Sequence, residues 1–121
     1  MPTKNNQATR FYSDKQEKEV ATVVNGVQTA NSGAGKFTGG DVLAKKSSML
    51  VECKCTMSEK ESFSVKKEWF IKNKEEAFTQ RVSNSVIAFN FGPGQDSYYV
   101  IDKRLMKFLV EKLEEFYKDE Q

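Results

Sequence analysis

The hydrophobic residues near the start of the chain follow a helical spacing. Three valines between residues 20 and 24 recur three and four positions apart, which predicts one apolar side of a helix. We expect this helix to begin at a capping box in the sequence SDKQ, with Ser13 as its N-cap, and to end at about Asn25, before a glycine. Residues 1–12 are polar and without periodicity, so we expect a flexible arm there.

The middle of the chain has the pattern of a β-hairpin. Residues 41–44 are predicted to form a strand, residues 45–48 a polar turn, and residues 49–56 the returning strand. Because side chains alternate across a strand, Glu52 and Lys54 are expected to share one face, while the residues between and beside them face the other way. The alternation therefore places two charged side chains together.

The second half of the chain repeats this alternation of helix and hairpin. We predict a second helix, capped by Ser62 or Ser64 and running to about Gln80, followed by strands over residues 85–91 and 98–102. A last helix is marked by an apolar stripe of Leu105, Leu109, Leu113 and Phe116. Further apolar residues lie off this stripe, so we expect a partner surface and hence a homodimer. The order of elements predicts a single α/β domain with a mixed central sheet flanked by helices.

The amino-acid composition limits the possible chemistry of the protein more than it limits the possible folds. The chain has 121 residues, which suits one domain, and it has no histidine. This excludes catalytic triads that need an imidazole and the usual histidine-ligated zinc sites. Cys53 and Cys55 are too close in sequence for an unstrained disulfide, so we expect reduced thiols in a cytoplasmic protein. No apolar run is long enough to span a membrane.

The charges are balanced overall but not along the chain. The 19 basic and 17 acidic residues give a net charge of +2, which by itself does not indicate nucleic-acid binding. The excess of lysines is concentrated between residues 36 and 74. If the protein contacts a polyanion, we therefore expect residues in the middle of the chain to make the contact.

Two carboxylates of the predicted hairpin form the strongest candidate site. Asp41 begins the first strand, and a hairpin of this length can bring it close to Glu52 on the second. Converging carboxylates with Lys54 on the same face are typical of an oxygen-ligated Mg²⁺ beside a positioned ammonium group. The alternative is a solvated sheet edge or a structural ion pair with Lys54.

These residues carry a resemblance to a known family. Gly40-Asp41-Val42 followed by Val51-Glu52-Cys53-Lys54 resembles the PD-(D/E)XK nuclease signature, and the αβββαβ order of elements is similar to its restriction-endonuclease-like core. Glu17 occupies the place of the family's helix glutamate, with Glu19 as the other candidate. Gly40 stands where the family name has proline. The short chain and the Ser-Gly loop at residues 31–35 look similar to the archaeal and phage Holliday junction resolvases.

The resemblance implies a nuclease domain over residues 13–121 and a role for each matching residue. Glu17, Asp41 and Glu52 would bind Mg²⁺, for which Mn²⁺ would substitute, and Lys54 would orient the attacking water or offset charge in the transition state. Residues implied to contact DNA are Lys18, Ser32, Lys36, Lys66 and Lys67. The expected reaction is hydrolysis of DNA phosphodiesters at four-way junctions by a homodimer, without a nucleotide cofactor.

Two other functions remain open at this point. The chain could be a PD-(D/E)XK endonuclease or nickase that acts on ordinary duplex or single-stranded DNA, or a non-catalytic DNA-binding relative. Lys66 and Lys67 also fit a solvated helix face, since acidic residues are interleaved with the lysines of this helix.

Overall fold

The computed structural model describes residues 3–29 and 41–120. These residues form one mixed sheet flanked by helices. The predicted α/β class is confirmed. In chain order the elements are α1 (Thr3–Val24), β1 (Val27–Gln28), β2 (Asp41–Ala44), β3 (Met49–Lys54), α2 (Lys67–Thr79), β4 (Asn84–Phe89), β5 (Tyr98–Val100) and α3 (Lys103–Lys118).

The five strands lie in the sheet in their sequence order, β1-β2-β3-β4-β5. Strands β3 and β4 are parallel, and every other neighbouring pair is antiparallel. The parallel pair needs a crossover connection, and α2 supplies it. Strands β2 and β3 form the predicted hairpin, and β3, which ends in Lys54, is therefore the centre of the sheet.

Apolar side chains bury both faces of the sheet. On one face, Val20 of α1 and Leu105 of α3 pack with valines of the three central strands. On the other face, Ala77 of α2 packs with Leu43 and Leu50. Because successive strand residues alternate between these two faces, β2 and β3 are almost continuously apolar until the point where the charged residues begin.

Helix α1 begins earlier than its sequence signals predict. It starts at Thr3, so the predicted capping box is wrong and Ser13 lies inside the helix, with its hydroxyl 3.4 Å from the sulfur of Cys55. Residues 3–12, for which we expected a flexible arm, form the first part of α1. The sequence contains no glycine or proline from residue 3 to residue 25, so nothing interrupts a helix there even though its apolar periodicity is weak.

The predicted end of α1 is confirmed, and Gly26 has a steric reason to be there. The helix ends at Val24, and Asn25 takes the left-handed conformation with φ 57°. A Cβ at Gly26 would lie 2.7 Å from the carbonyl oxygen of Leu43. The close approach of the helix end to β2 therefore requires glycine.

The predicted serine caps of the second helix are wrong. Helix α2 begins at Lys67, and Lys66 at its N-cap makes no side-chain capping bond. In the segment before the helix, Phe63 stacks on Phe89 at a ring-centroid distance of 4.7 Å. Helix α3 is capped by Asp102, whose carboxylate accepts a 2.9 Å hydrogen bond from the backbone N–H of Leu105. None of the described helices has the length and apolarity to cross a bilayer.

Candidate active site on the central hairpin

Asp41 and Glu52 lie directly opposite each other on β2 and β3. Residues opposite in an antiparallel pair point to the same face, with Cβ atoms about 5 Å apart. The next pair on this face is Leu43 with Leu50, and both are buried. The predicted approach of the two carboxylates is confirmed, and they form the polar end of an otherwise apolar hairpin.

Lys54 is held beside Glu52 by two different contacts. Its Nζ lies 2.9 Å from Oε2 of Glu52, and both side chains are only 17% exposed. The same Nζ lies 4.5 Å from the centre of the Trp69 ring on α2, within the range of a cation–π interaction. The ammonium group therefore has few positions open to it. Its contact with Glu52 is also the ion pair that we gave as the structural alternative.

Asp41 is surrounded by negative charge. The pKa of Asp41 is raised to about 7, first by burial and then by the charges of Glu52, Glu76 and Glu17, while Lys54 lowers it by a smaller amount. Glu76 comes from α2 and Glu17 from α1, so a carboxylate from each helical layer acts on this aspartate. Close to neutral pH, Asp41 exchanges its proton readily, and a nearby cation would favour its charged form.

The structure distinguishes the two candidate glutamates of α1. Glu17 accepts a 3.0 Å hydrogen bond from Nε2 of Gln28, which also donates to Asp14 at 3.1 Å. Glu19 instead accepts a 3.2 Å hydrogen bond from the hydroxyl of Ser97, on the segment between β4 and β5. It is Glu17 whose charge acts on Asp41. Glu17, rather than Glu19, therefore belongs with the carboxylates of the hairpin.

The donor atoms suit a hard cation, although the side chains are not arranged around one. Among residues 3–29 and 41–120, no group of three or more acidic or cysteine side chains has the geometry of a metal site. Glu52 is engaged by Lys54, and Glu17 by Gln28. Carboxylate oxygens are the ligands that Mg²⁺ prefers. Cys53 lies in the apolar cluster on the opposite face, and burial raises the pKa of its thiol, so this cysteine is not expected to bind such an ion as a thiolate.

The lysines predicted to contact DNA lie at different distances from this site. Lys66 is exposed, and its Nζ lies 6.0 Å from the centre of the Trp69 ring that also contacts Lys54. Lys67 is exposed at the start of α2. Lys18 is paired with Asp14 at 3.0 Å on the surface of α1. The predicted contacts Ser32 and Lys36 lie outside the described residues.

Two buried amides that position the site were missed at the sequence level. Gln16 is buried and donates through Nε2 to the backbone carbonyl of Lys54 at 3.0 Å. Asn73 of α2 is buried and donates to the carbonyl of Leu50 at 3.3 Å and to that of Val86 at 3.1 Å. Each amide stands four residues before a small apolar core residue of its helix. The sequence signal that could have identified both amides is a polar residue spaced so that it falls on the apolar face of its helix.

Comparison of the chain with protein-family models, with curated proteins and with solved structures gives no match. The function of the site must therefore be inferred from its own geometry and chemistry.

Proposed function

We propose that the protein is a Mg²⁺-dependent endodeoxyribonuclease of the PD-(D/E)XK type. The observation that carries this proposal is the pairing of Asp41 with Glu52 across the hairpin, with Lys54 on the same face. Glu17, at the place of the family's helix glutamate, acts electrostatically on the same aspartate. The first six elements, α1 to β4, follow the αβββαβ order that the resemblance implies, which supports a restriction-endonuclease-like core.

In this proposal, Glu17, Asp41 and Glu52 hold Mg²⁺, or Mn²⁺ in its place. The bound ion would lower the pKa of a water molecule and offset charge on the phosphate. Because the chain has no histidine, no imidazole is present to act as a general base. Lys54 remains a cation that orients the water or offsets the charge of the transition state, and Trp69 restricts where its ammonium group can go.

We further propose that the substrate is a four-way DNA junction. In this proposal, Lys66 and Lys67 contact phosphates beside the site. The position of Lys66 at the Trp69 ring that also contacts Lys54 supports this. Lys18, Ser32 and Lys36 are the other proposed contacts. A nuclease or nickase of ordinary DNA would use the same metal chemistry, so cleavage of a junction must be compared with cleavage of a linear duplex of the same sequence.

The proposed chemistry is tested by separating DNA binding from cleavage. Asp41→Asn and Glu52→Gln are expected to lower the rate of junction cleavage by a factor of about 100 or more while DNA affinity is kept, because each removes a metal-binding charge. Asp96→Asn is a matched control, since this aspartate is exposed on the segment between β4 and β5. Cleavage by the two site variants at the wild-type rate would contradict the proposal.

A non-catalytic DNA-binding protein is the second candidate, and one observation favours it. The 2.9 Å ion pair of Glu52 with Lys54 satisfies both charges without a metal ion. For such a protein, we expect junction binding without cleavage and no effect of Mg²⁺ or Mn²⁺ on the thermal unfolding temperature. A rise of this temperature with either ion, absent in Asp41→Asn, favours the nuclease.

A further inference from the structure

Within residues 3–29 and 41–120, helix α3 is attached to the rest of the domain by its first turn. Leu105 is the one buried residue of α3, which the structure describes along its whole length. Arg104 fixes the same turn by donating to the carbonyl of Ser83 at 2.6 Å. Beyond this turn, seven large apolar side chains are 40 to 64% exposed, namely Met106, Phe108, Leu109, Val110, Leu113, Phe116 and Tyr117. Such a concentration of exposed apolar residues on one helix indicates an interaction surface.

Four of these residues form a continuous seam. Met106, Val110, Leu113 and Tyr117 are spaced by four, three and four residues, which is the a/d spacing of helices that pack side by side. We call these four residues the α3 seam. An open groove of about 450 Å³ runs along it, lined by three of the seam residues and by Glu114 and Lys118. A second helix laid along the seam would cover the groove.

The charges along α3 indicate what this second helix is. The first half of α3 carries the basic residues Lys103, Arg104 and Lys107 and no acidic residue, whereas its second half carries the glutamates Glu111, Glu114 and Glu115 together with Lys112 and Lys118. The helix is therefore complementary to a reversed copy of itself.

We propose that α3 packs antiparallel against α3 of a second copy of this chain. A two-fold axis midway between Val110 and Leu113 sets Val110 against Leu113 of the partner subunit and Met106 against Tyr117 of the partner subunit. Each subunit then contributes the same four seam residues to the interface, as a closed two-fold dimer requires.

The residues on the two edges of the α3 seam also favour the antiparallel direction. One edge carries Lys107 and Glu114, and the other carries Leu109 and Phe116. In an antiparallel pair, each edge meets the same edge of the other helix. Lys107 therefore lies near Glu114 of the partner subunit on one side, and Leu109 lies near Phe116 of the partner subunit on the other. In a parallel pair the charged edge would face the apolar edge, leaving Lys107 and Glu114 without charge partners on the other helix. Lys107 would then keep only the contact with Glu111 of its own helix, at 4.0 Å.

The dimer follows from α3 alone and does not depend on the proposed nuclease activity. If the nuclease proposal is correct, the dimer carries one site for each of two strands of a symmetric junction. Cleavage and dimerisation are measured separately, so the failure of one proposal is distinguishable from the failure of the other.

Sedimentation equilibrium of the full chain between about 1 and 100 μM tests the dimer. We expect a dimer for the wild type, and a dimer affinity about 100-fold lower for Leu113→Glu, which places a charge in the seam. Circular dichroism of the same samples checks that the variant is folded. A monomeric wild type at the highest concentration would overturn the proposal.

A charge exchange tests the direction of the helices and does not depend on the folding of the seam variant. Lys107→Glu and Glu114→Lys are each expected to weaken the dimer roughly two- to tenfold, because each turns two symmetric attractions into repulsions. The double variant restores the attraction and is expected to recover the wild-type affinity. Lys112→Glu is the matched control, since Lys112 lies on the opposite side of α3 from the seam. Failure of the double variant to recover would overturn the antiparallel arrangement.

Discussion

Replacing the central carboxylate of the site is expected to make the metal-free protein more stable. Burial and the surrounding carboxylates raise the pKa of Asp41 from 3.8 to about 7. The folded state therefore retains this proton at pH values where the unfolded state has lost it. The free energy of unfolding consequently falls as the pH rises from about 4 to about 7. Above that range, the folded state bears the full free-energy cost of the charge on Asp41. Asp41→Asn keeps the shape of the side chain and cannot lose the proton, so this cost is removed.

The size of the effect follows from the displacement of the pKa. A displacement of about three pKa units corresponds to at most about 4 kcal/mol in the free energy of unfolding. Because solvent screens the half-buried carboxylate, we expect Asp41→Asn to gain about 1 to 2 kcal/mol at pH 8. This gain is equivalent to a rise of about 3 to 10 °C in Tm. The exposed Asp96 provides the control variant Asp96→Asn.

Thermal unfolding of the wild type and Asp41→Asn in EDTA, followed by circular dichroism from pH 4 to pH 8, measures this difference. We expect the two Tm values to be similar near pH 4 and to separate progressively toward pH 7. An Asp41→Asn variant that is less stable than the wild type at pH 8, or a difference in Tm that does not change with pH, would show that the charge of Asp41 does not destabilise the folded state.

Three further substitutions test the contacts that position the site. Gln16→Leu is expected to lower the free energy of unfolding by about 1 to 3 kcal/mol in chemical denaturation, because it removes the hydrogen bond from the buried Gln16 amide to the part-buried carbonyl of Lys54; an unchanged midpoint would contradict this role. Trp69→Leu removes the cation–π contact of Lys54, worth about 1 kcal/mol, so we expect junction cleavage about fivefold slower with DNA affinity unchanged. Gly26→Ala places a methyl group 2.7 Å from the carbonyl oxygen of Leu43 and is expected to lower the unfolding free energy by about 1 to 3 kcal/mol, a prediction that an equally stable variant would refute.

The features that could be predicted from sequence are those determined by local periodicity. The β2–β3 hairpin follows from two short apolar runs on either side of a polar turn, and its length was enough to place Asp41 near Glu52. The end of α1 follows from Asn25 and Gly26, which terminate helices for steric reasons. In each case the residues that determine the structure are close neighbours in the chain.

The remaining features depend on residues that are distant in sequence. Gln16 had the appearance of a capping residue, but it is buried against a carbonyl of β3, 38 residues further along the chain. Glu76 acts on Asp41 only because α2 crosses over this face of the sheet. The start of α1 was misjudged because Ser13 fits a capping box locally, while no glycine or proline stops the helix before it. Tertiary packing decides these positions, and short sequence patterns do not report it.

The rate of cleavage of a four-way DNA junction, measured with an excess of the full chain in Mg²⁺ and in EDTA, distinguishes a nuclease from a non-catalytic DNA-binding protein. We expect cleavage in Mg²⁺ that is faster than for a linear duplex of the same sequence, that is lost in EDTA, and that is lost in Glu52→Gln. Junction binding without cleavage in either Mg²⁺ or Mn²⁺ would contradict the nuclease proposal, and the paired charges of Glu52 and Lys54 would then be structural.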